Sequence, residues 1–129
     1  MITLRGVEYR TSYNWEAIEG VQSDLNEDSL DKLYLTIAKV VGDKKGITSK
    51  DMTNVMKIAK VVVYHGIRGA CLEDDKVCPF KSPANVGAHL SSFHDAGKEI
   101  GLFLASMYAL FHADPDEPTG EANREAQPN

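Results

Sequence analysis

Hydrophobic and polar positions change their period early in this chain. Ile2 and Leu4 alternate with Thr3 and Arg5, and Val7, Tyr9, Thr11 and Tyr13 alternate with charged or polar neighbours. Period two marks strands with one buried face, and Arg5-Gly6 between the runs predicts the turn of a short β-hairpin. From Asn14 the spacing becomes three or four, through Trp15, Ile18, Val21 and Leu25. That predicts a helix, with the Asn14 side-chain oxygen accepting from an otherwise orphan backbone N–H at its start. A lone hairpin is marginal in water, so this one is expected to pack on the helices that follow. Tyr13 and Trp15, at the junction, are expected to be substantially buried.

The rest reads as helices separated by punctuation. Asn26-Glu27-Asp28-Ser29 offers caps, and Leu30, Leu33, Tyr34, Ile37, Ala38 and Val41 then share one helical stripe that ends at Gly42. Thr48-Ser49-Lys50-Asp51 has the form of a capping box, flanked by Ile47 and Met52 as a hydrophobic staple. The helix that follows is predicted to run to about Ala70. It is apolar over much of its circumference, as expected for a central helix packed on more than one side. Val61-Val62-Val63 has strand propensity, but Met52, Val55, Met56, Ala59, Val62 and Val63 keep the helical period through it.

Residues 71–81 read as an irregular charged connection. Ser82-Pro83 then looks like an N-cap with proline at the first helical position, opening a short helix with Val86, Leu90 and Phe93 on its apolar face. His94-Asp95 predicts a bend, with Asp95 capping a last helix on which Ile100, Phe103, Leu104, Met107, Leu110 and Phe111 share a face that Leu102 and Tyr108 extend. After Asp114-Pro115 no large apolar residue occurs. Such a segment cannot bury enough surface to offset its ordering entropy. The expected fold is therefore mainly α: one domain over 1–114, in which a small N-terminal hairpin packs on a bundle of about five helices, and a disordered acidic tail over 115–129.

Composition sharpens this picture. A chain of 129 residues suits one core, and 43% hydrophobic with 26% charged residues is ordinary for a soluble domain. The net charge of −5 argues against non-specific binding to nucleic acid or an anionic membrane. No apolar run approaches the roughly 20 residues that span a bilayer. Met1-Ile2-Thr3-Leu4 leads into folded-looking sequence without a signal-like stretch, so an intracellular location is expected.

Candidate chemistry is sparse. There is no phosphate-cradling glycine loop, no Gly-x-Ser-x-Gly elbow and no His-Glu-x-x-His. Cys71 and Cys78 lack the spacing and companions of a zinc site, and His89 and His94 lie roughly 140° apart around a helix. Glu73-Asp74-Asp75 lacks the spaced oxygens and glycine of a calcium loop, and reads as a solvated turn. His65, in Tyr64-His65-Gly66, reads as a half-buried, hydrogen-bonded histidine. The expectation is a protein that is not an enzyme and needs no metal or cofactor.

The arrangement of elements resembles the tail assembly chaperones of long-tailed bacteriophages and gene transfer agents. The resemblance lies in the hairpin Ile2-Thr3-Leu4-Arg5-Gly6-Val7-Glu8-Tyr9, followed by Tyr13-Asn14-Trp15-Glu16-Ala17-Ile18. It continues in Lys57-Ile58-Ala59-Lys60-Val61-Val62-Val63-Tyr64-His65-Gly66, in Ser82-Pro83-Ala84-Asn85-Val86-Gly87-Ala88-His89-Leu90, and in the polar tail. It spans nearly the whole chain, with departures at the Cys71–Cys78 connection and at Lys44-Lys45-Gly46.

The resemblance implies a non-enzymatic role in the cytoplasm of the bacterial host cell. Such chaperones bind the tape measure protein, keep it assembly-competent while tail tube subunits polymerise around it, and are absent from the finished tail. A longer frameshifted form recruits the tail tube protein in many families, and a homo-oligomer is compatible with the role. The task needs a groove that accepts a client helix. The expected partner-binding face joins Phe103, Met107, Tyr108 and Phe111 of the last helix to Met56, Lys60 and Tyr64 of the central one. Two long apolar helices offer more hydrophobic surface than one small core hides, and methionines and aromatics suit varied clients. A structural neck or tail protein of the virion, or a small intracellular inhibitor or regulatory binder, is the alternative.

Overall fold

A computed structural model of the chain describes residues 1–41 and 49–112, with side chains described for 1–40 and 52–112. Strands β1 (Ile2–Leu4) and β2 (Val7–Tyr9) precede helices α1 (Trp15–Asp24), α2 (Leu30–Val41), α3 (Ser49–Glu73), α4 (Pro83–Gly87) and α5 (Phe93–His112). The fold is mainly helical, with a two-stranded antiparallel N-terminal sheet. The helix stop at Gly42, the capping box from Thr48 to Asp51 with Ile47, and the tail from Pro115 lie outside the described residues or side chains. Among the described residues, no helix is long and apolar enough to cross a membrane.

The hairpin forms where the alternation places it. Leu4 pairs with Val7 and Ile2 with Tyr9, and Arg5 and Gly6 between them both have positive φ, at 50° and 78°. Two consecutive left-handed residues match the right-handed twist of the strands they join. Ile2 and Leu4 turn inward onto Val63 and Ile67 of α3, Phe80 of the connection that follows it and Val86 of α4, while Thr3 faces solvent.

Helix α1 starts at the expected cap: the Asn14 side-chain oxygen accepts from the Ala17 N–H at 3.0 Å. It ends when Asn26 turns left-handed at φ 61°, so that the Glu27 N–H donates to the Gln22 carbonyl and the Asn26 N–H to the Ser23 carbonyl. This 6→1 plus 5→2 pair satisfies carbonyls that a helix end leaves orphaned. Helix α3 closes in the same way around Asp75, at φ 54°, with Lys76 donating to Cys71 and Asp75 to Leu72. It therefore extends to Glu73, one turn past the expected end.

Helix α3 is the hub, in contact with α1, α2, α4 and α5. Its Ile58, Ala59, Val61 and Val62 meet Ile18 and Val21 of α1, Leu33 and Ile37 of α2, and Ala96, Ile100, Phe103 and Met107 of α5. The β-branched run is thus helical, and burial from several sides outweighs its strand propensity. Glycines let the chain entering α1 lie directly on α3. The Ser12 N–H donates to the Gly66 carbonyl at 2.9 Å, and a Cβ on Gly66 would stand 2.7 Å from the Tyr13 ring.

Two local expectations fail. Trp15 is 77% exposed, because it is the first residue of α1 and the buried stripe begins at Ala17 and Ile18. Tyr13, by contrast, packs partly buried against the core, edge-on to Phe103. The expected bend at His94-Asp95 is absent: α5 begins at Phe93, and Ser92 rather than Asp95 caps it, its hydroxyl oxygen accepting from the N–H groups of His94 (3.1 Å) and Asp95 (3.5 Å). Phe93 therefore belongs to the last helix, and not to the short one.

Candidate functional site

Small side chains open a groove along α3. Ala59 on α3 and Ala96 on α5 form its buried floor, and Ala84 and Gly87 of α4 form one wall. Gly87 lets α4 come close, since a Cβ there would stand 3.2 Å from Cδ of Lys60. Met56 and Lys60 form one rim, and Leu90, Ser91, Ser92 and Phe93 form the other. The hollow measures about 350 Å³, with Met56 57% and Phe93 42% exposed beside it. Its polar groups are the Lys60 ammonium and two serine hydroxyls. Among the described residues the lining contains no acid, histidine or cysteine, and offers contact area and an anchoring charge.

The residues expected to form one face divide among three environments. Met56 and Lys60 line the groove, and Tyr64 lies one turn further along α3, half-buried and edge-on to His65. Phe103 and Met107 have no exposed surface at all: they pack on α2 and α3 in the core and are not available to a partner. This corrects their assignment to a binding face, and the cause is that Ile100, Phe103 and Met107 form the stripe α5 turns inward. Tyr108, 52% exposed, stacks on His112 with ring centroids 3.9 Å apart. Phe111 lines a second hollow of about 410 Å³ with Trp15, Ile18, Leu30 and Leu110. That hollow abuts the last described turn of the chain, so it carries no argument.

Sequence reasoning missed Leu90, Phe93 and Ser92. The available signal was Ser91-Ser92 before Phe93: serine caps α5 and puts the first aromatic of that helix at its mouth.

The titratable groups outside the groove are structural in their surroundings. His65 is buried between α1 and α3, with Nε2 2.7 Å from Asp24 Oδ2, while its Nδ1 has no hydrogen-bond partner and faces Gly20, where a Cβ would stand 2.3 Å away. That close packing leaves no space for a substrate at the ring. Glu99 is 1% exposed on α5, and the Tyr13 hydroxyl donates to its Oε1 at 2.7 Å. Burial, and then the neighbouring Glu99, push the Tyr13 phenol far above its ordinary value.

At the end of α3 the Glu73 carboxyl accepts from Ser12, from Arg10 (2.7 Å) and from Asn14 (2.9 Å), and these hydrogen bonds hold it below the usual carboxylate range. Cys71 and Cys78 both pack half-buried against the Ile2, Leu4 and Phe80 cluster, and burial, then the neighbouring Cys78, push the Cys71 thiol up. Among the described residues no group of three or more His, Cys, Asp or Glu side chains is placed to hold a metal ion.

Comparison with known protein families, characterised proteins and solved structures finds no match.

Proposed function

We propose that this protein is a binding protein whose groove between α3, α4 and α5 receives an apolar helical segment of a client. Following the resemblance of its sequence to tail assembly chaperones, we propose that the client is a tape measure protein kept soluble in the bacterial cytoplasm. The observation that supports the reading is the groove itself: an apolar hollow with large apolar side chains exposed beside it and, among the described residues, no acid–base group in its lining. Amphipathic helices dock in this way, with anchors at helical spacing. Recruitment of the tail tube protein belongs to the same reading.

Co-expression with a cognate tape measure protein tests it. The client should co-purify and remain soluble, and Met56→Glu, which places a charge at an exposed rim position, should abolish both while leaving the circular dichroism spectrum unchanged. A client that stays insoluble with the unsubstituted protein refutes the chaperone reading.

A further inference from the structure

The shape and charge of the groove specify what kind of helix it takes, given that it binds one as proposed above. On α3, Met56 and Lys60 of the lining stand one turn apart, and Met52 lies one turn before them. Met52 is 38% and Met56 57% exposed. At 1.5 Å per residue Met52 to Lys60 runs about 12 Å, a little over two helical turns. The exposed apolar surface beside the groove follows the axis of α3 through Met52 and Met56.

Lys60 is, among the described residues, the one charged side chain in the lining, and its stem lies against Gly87. Among the described residues no carboxylate forms an ion pair with it. The N-terminus of α5 opens on the same groove, but Ser92 accepts from its first N–H groups and Asp95 in its first turn offsets its positive end, so Lys60 is the anchoring charge. The chain's own residues 115–129 do not match the groove, for they carry acids but no large apolar side chain.

We infer that the groove selects a client helix bearing two large apolar side chains four residues apart, flanked by a carboxylate that pairs with Lys60. The apolar pair occupies the space over Ala59 and Ala96 between Met56 and Phe93. The carboxylate, one turn away along the same face of the client, meets Lys60. Lysine at that client position meets like charge and is rejected.

Dye-labelled helical peptides of about 20 residues, cross-linked on their solvent face to hold the helix, test this by fluorescence anisotropy with the full chain. Each carries a Leu-x-x-x-Leu pair, with Glu, Gln or Lys one turn before or after it. At least one Glu peptide should bind about tenfold or more tightly than its Lys counterpart, and added salt should narrow the difference. Lys60→Glu should reverse the order, and Lys60→Gln, which keeps much of the apolar stem, should level it. Equal binding by Glu and Lys peptides, an order unchanged by Lys60→Glu, or no binding by any peptide overturns the inference. The client's identity is judged separately: charge reversal with these peptides alongside failure to solubilise the tape measure protein removes only the chaperone reading. Co-purification indifferent to Lys60→Glu removes only the role of the carboxylate.

Discussion

Glu73 shows how one residue ties two elements together. It ends α3, where a negative charge opposes the helix dipole. Hydrogen bonds from Ser12, Asn14 and Arg10, all on the segment between β2 and α1, offset that opposition. They hold its carboxyl below the range it has in the unfolded chain. A depressed folded value stabilises the native state above the unfolded value, near pH 4.3, and the contribution disappears as pH falls through the folded value. Glu73→Gln should therefore lower the urea midpoint at pH 7, and the difference from the unsubstituted protein should shrink as pH falls below the ordinary carboxylate range. A midpoint difference that stays constant with pH would show that the Glu73 hydrogen bonds do not depend on its charge.

At the scale of elements, the hairpin carries a residue that its turn does not favour. Arg5 is left-handed at φ 50°, a conformation that costs an ordinary L-residue roughly 1–2 kcal/mol and that asparagine adopts readily. Arg5→Asn creates Asn-Gly, the preferred pair for this turn, and loses only an exposed 3.5 Å contact to the Ala88 carbonyl. It should stabilise the protein by about 0.5–1 kcal/mol and raise Tm by a few degrees; an unchanged or lower Tm would mean that the turn relaxes around Arg5 at no cost.

The turn was legible because Gly6 interrupts an alternating pattern, and the starts of α1 and α4 because Asn14 and Ser82-Pro83 are strong local caps. Ends that depend on left-handed Asn26 and Asp75 were less legible, since either residue also suits a loop. Facing was the least legible property. The apolar residues of α5 from Ile100 to Phe111 cover a wide arc, and only the positions of α2 and α3 decide that Phe103 and Met107 turn inward. Trp15 shows the converse, a large aromatic left outside because it precedes the first buried turn. Half of the groove was invisible for a related reason, because Phe93 lines it only when Ser92, and not Asp95, starts α5.

For the whole molecule, the division between core and groove decides how any loss of binding should be read. Phe103 and Phe93 lie on the same helix, yet one is fully buried against α2 and α3 and the other stands 42% exposed at the groove. A total stability of about 5–15 kcal/mol is typical of a domain this size, so a single core deletion can remove much of it. Phe103→Ala should cost about 3–5 kcal/mol, through lost transfer free energy and the cavity left behind. Its client binding should fall in proportion to the unfolded fraction and recover on cooling toward the temperature of maximum stability. Phe93→Ala removes a half-exposed ring from a rim and should change stability by about 1 kcal/mol or less. If Phe93 anchors the client beside Met56, its loss should nevertheless weaken binding about tenfold or more, at every temperature where the protein is folded. Denaturation and peptide titration of the two variants in parallel separate the cases. A Phe93→Ala protein that binds as well as the unsubstituted chain would remove that rim from the site and leave Met56 and Lys60 to hold the client alone.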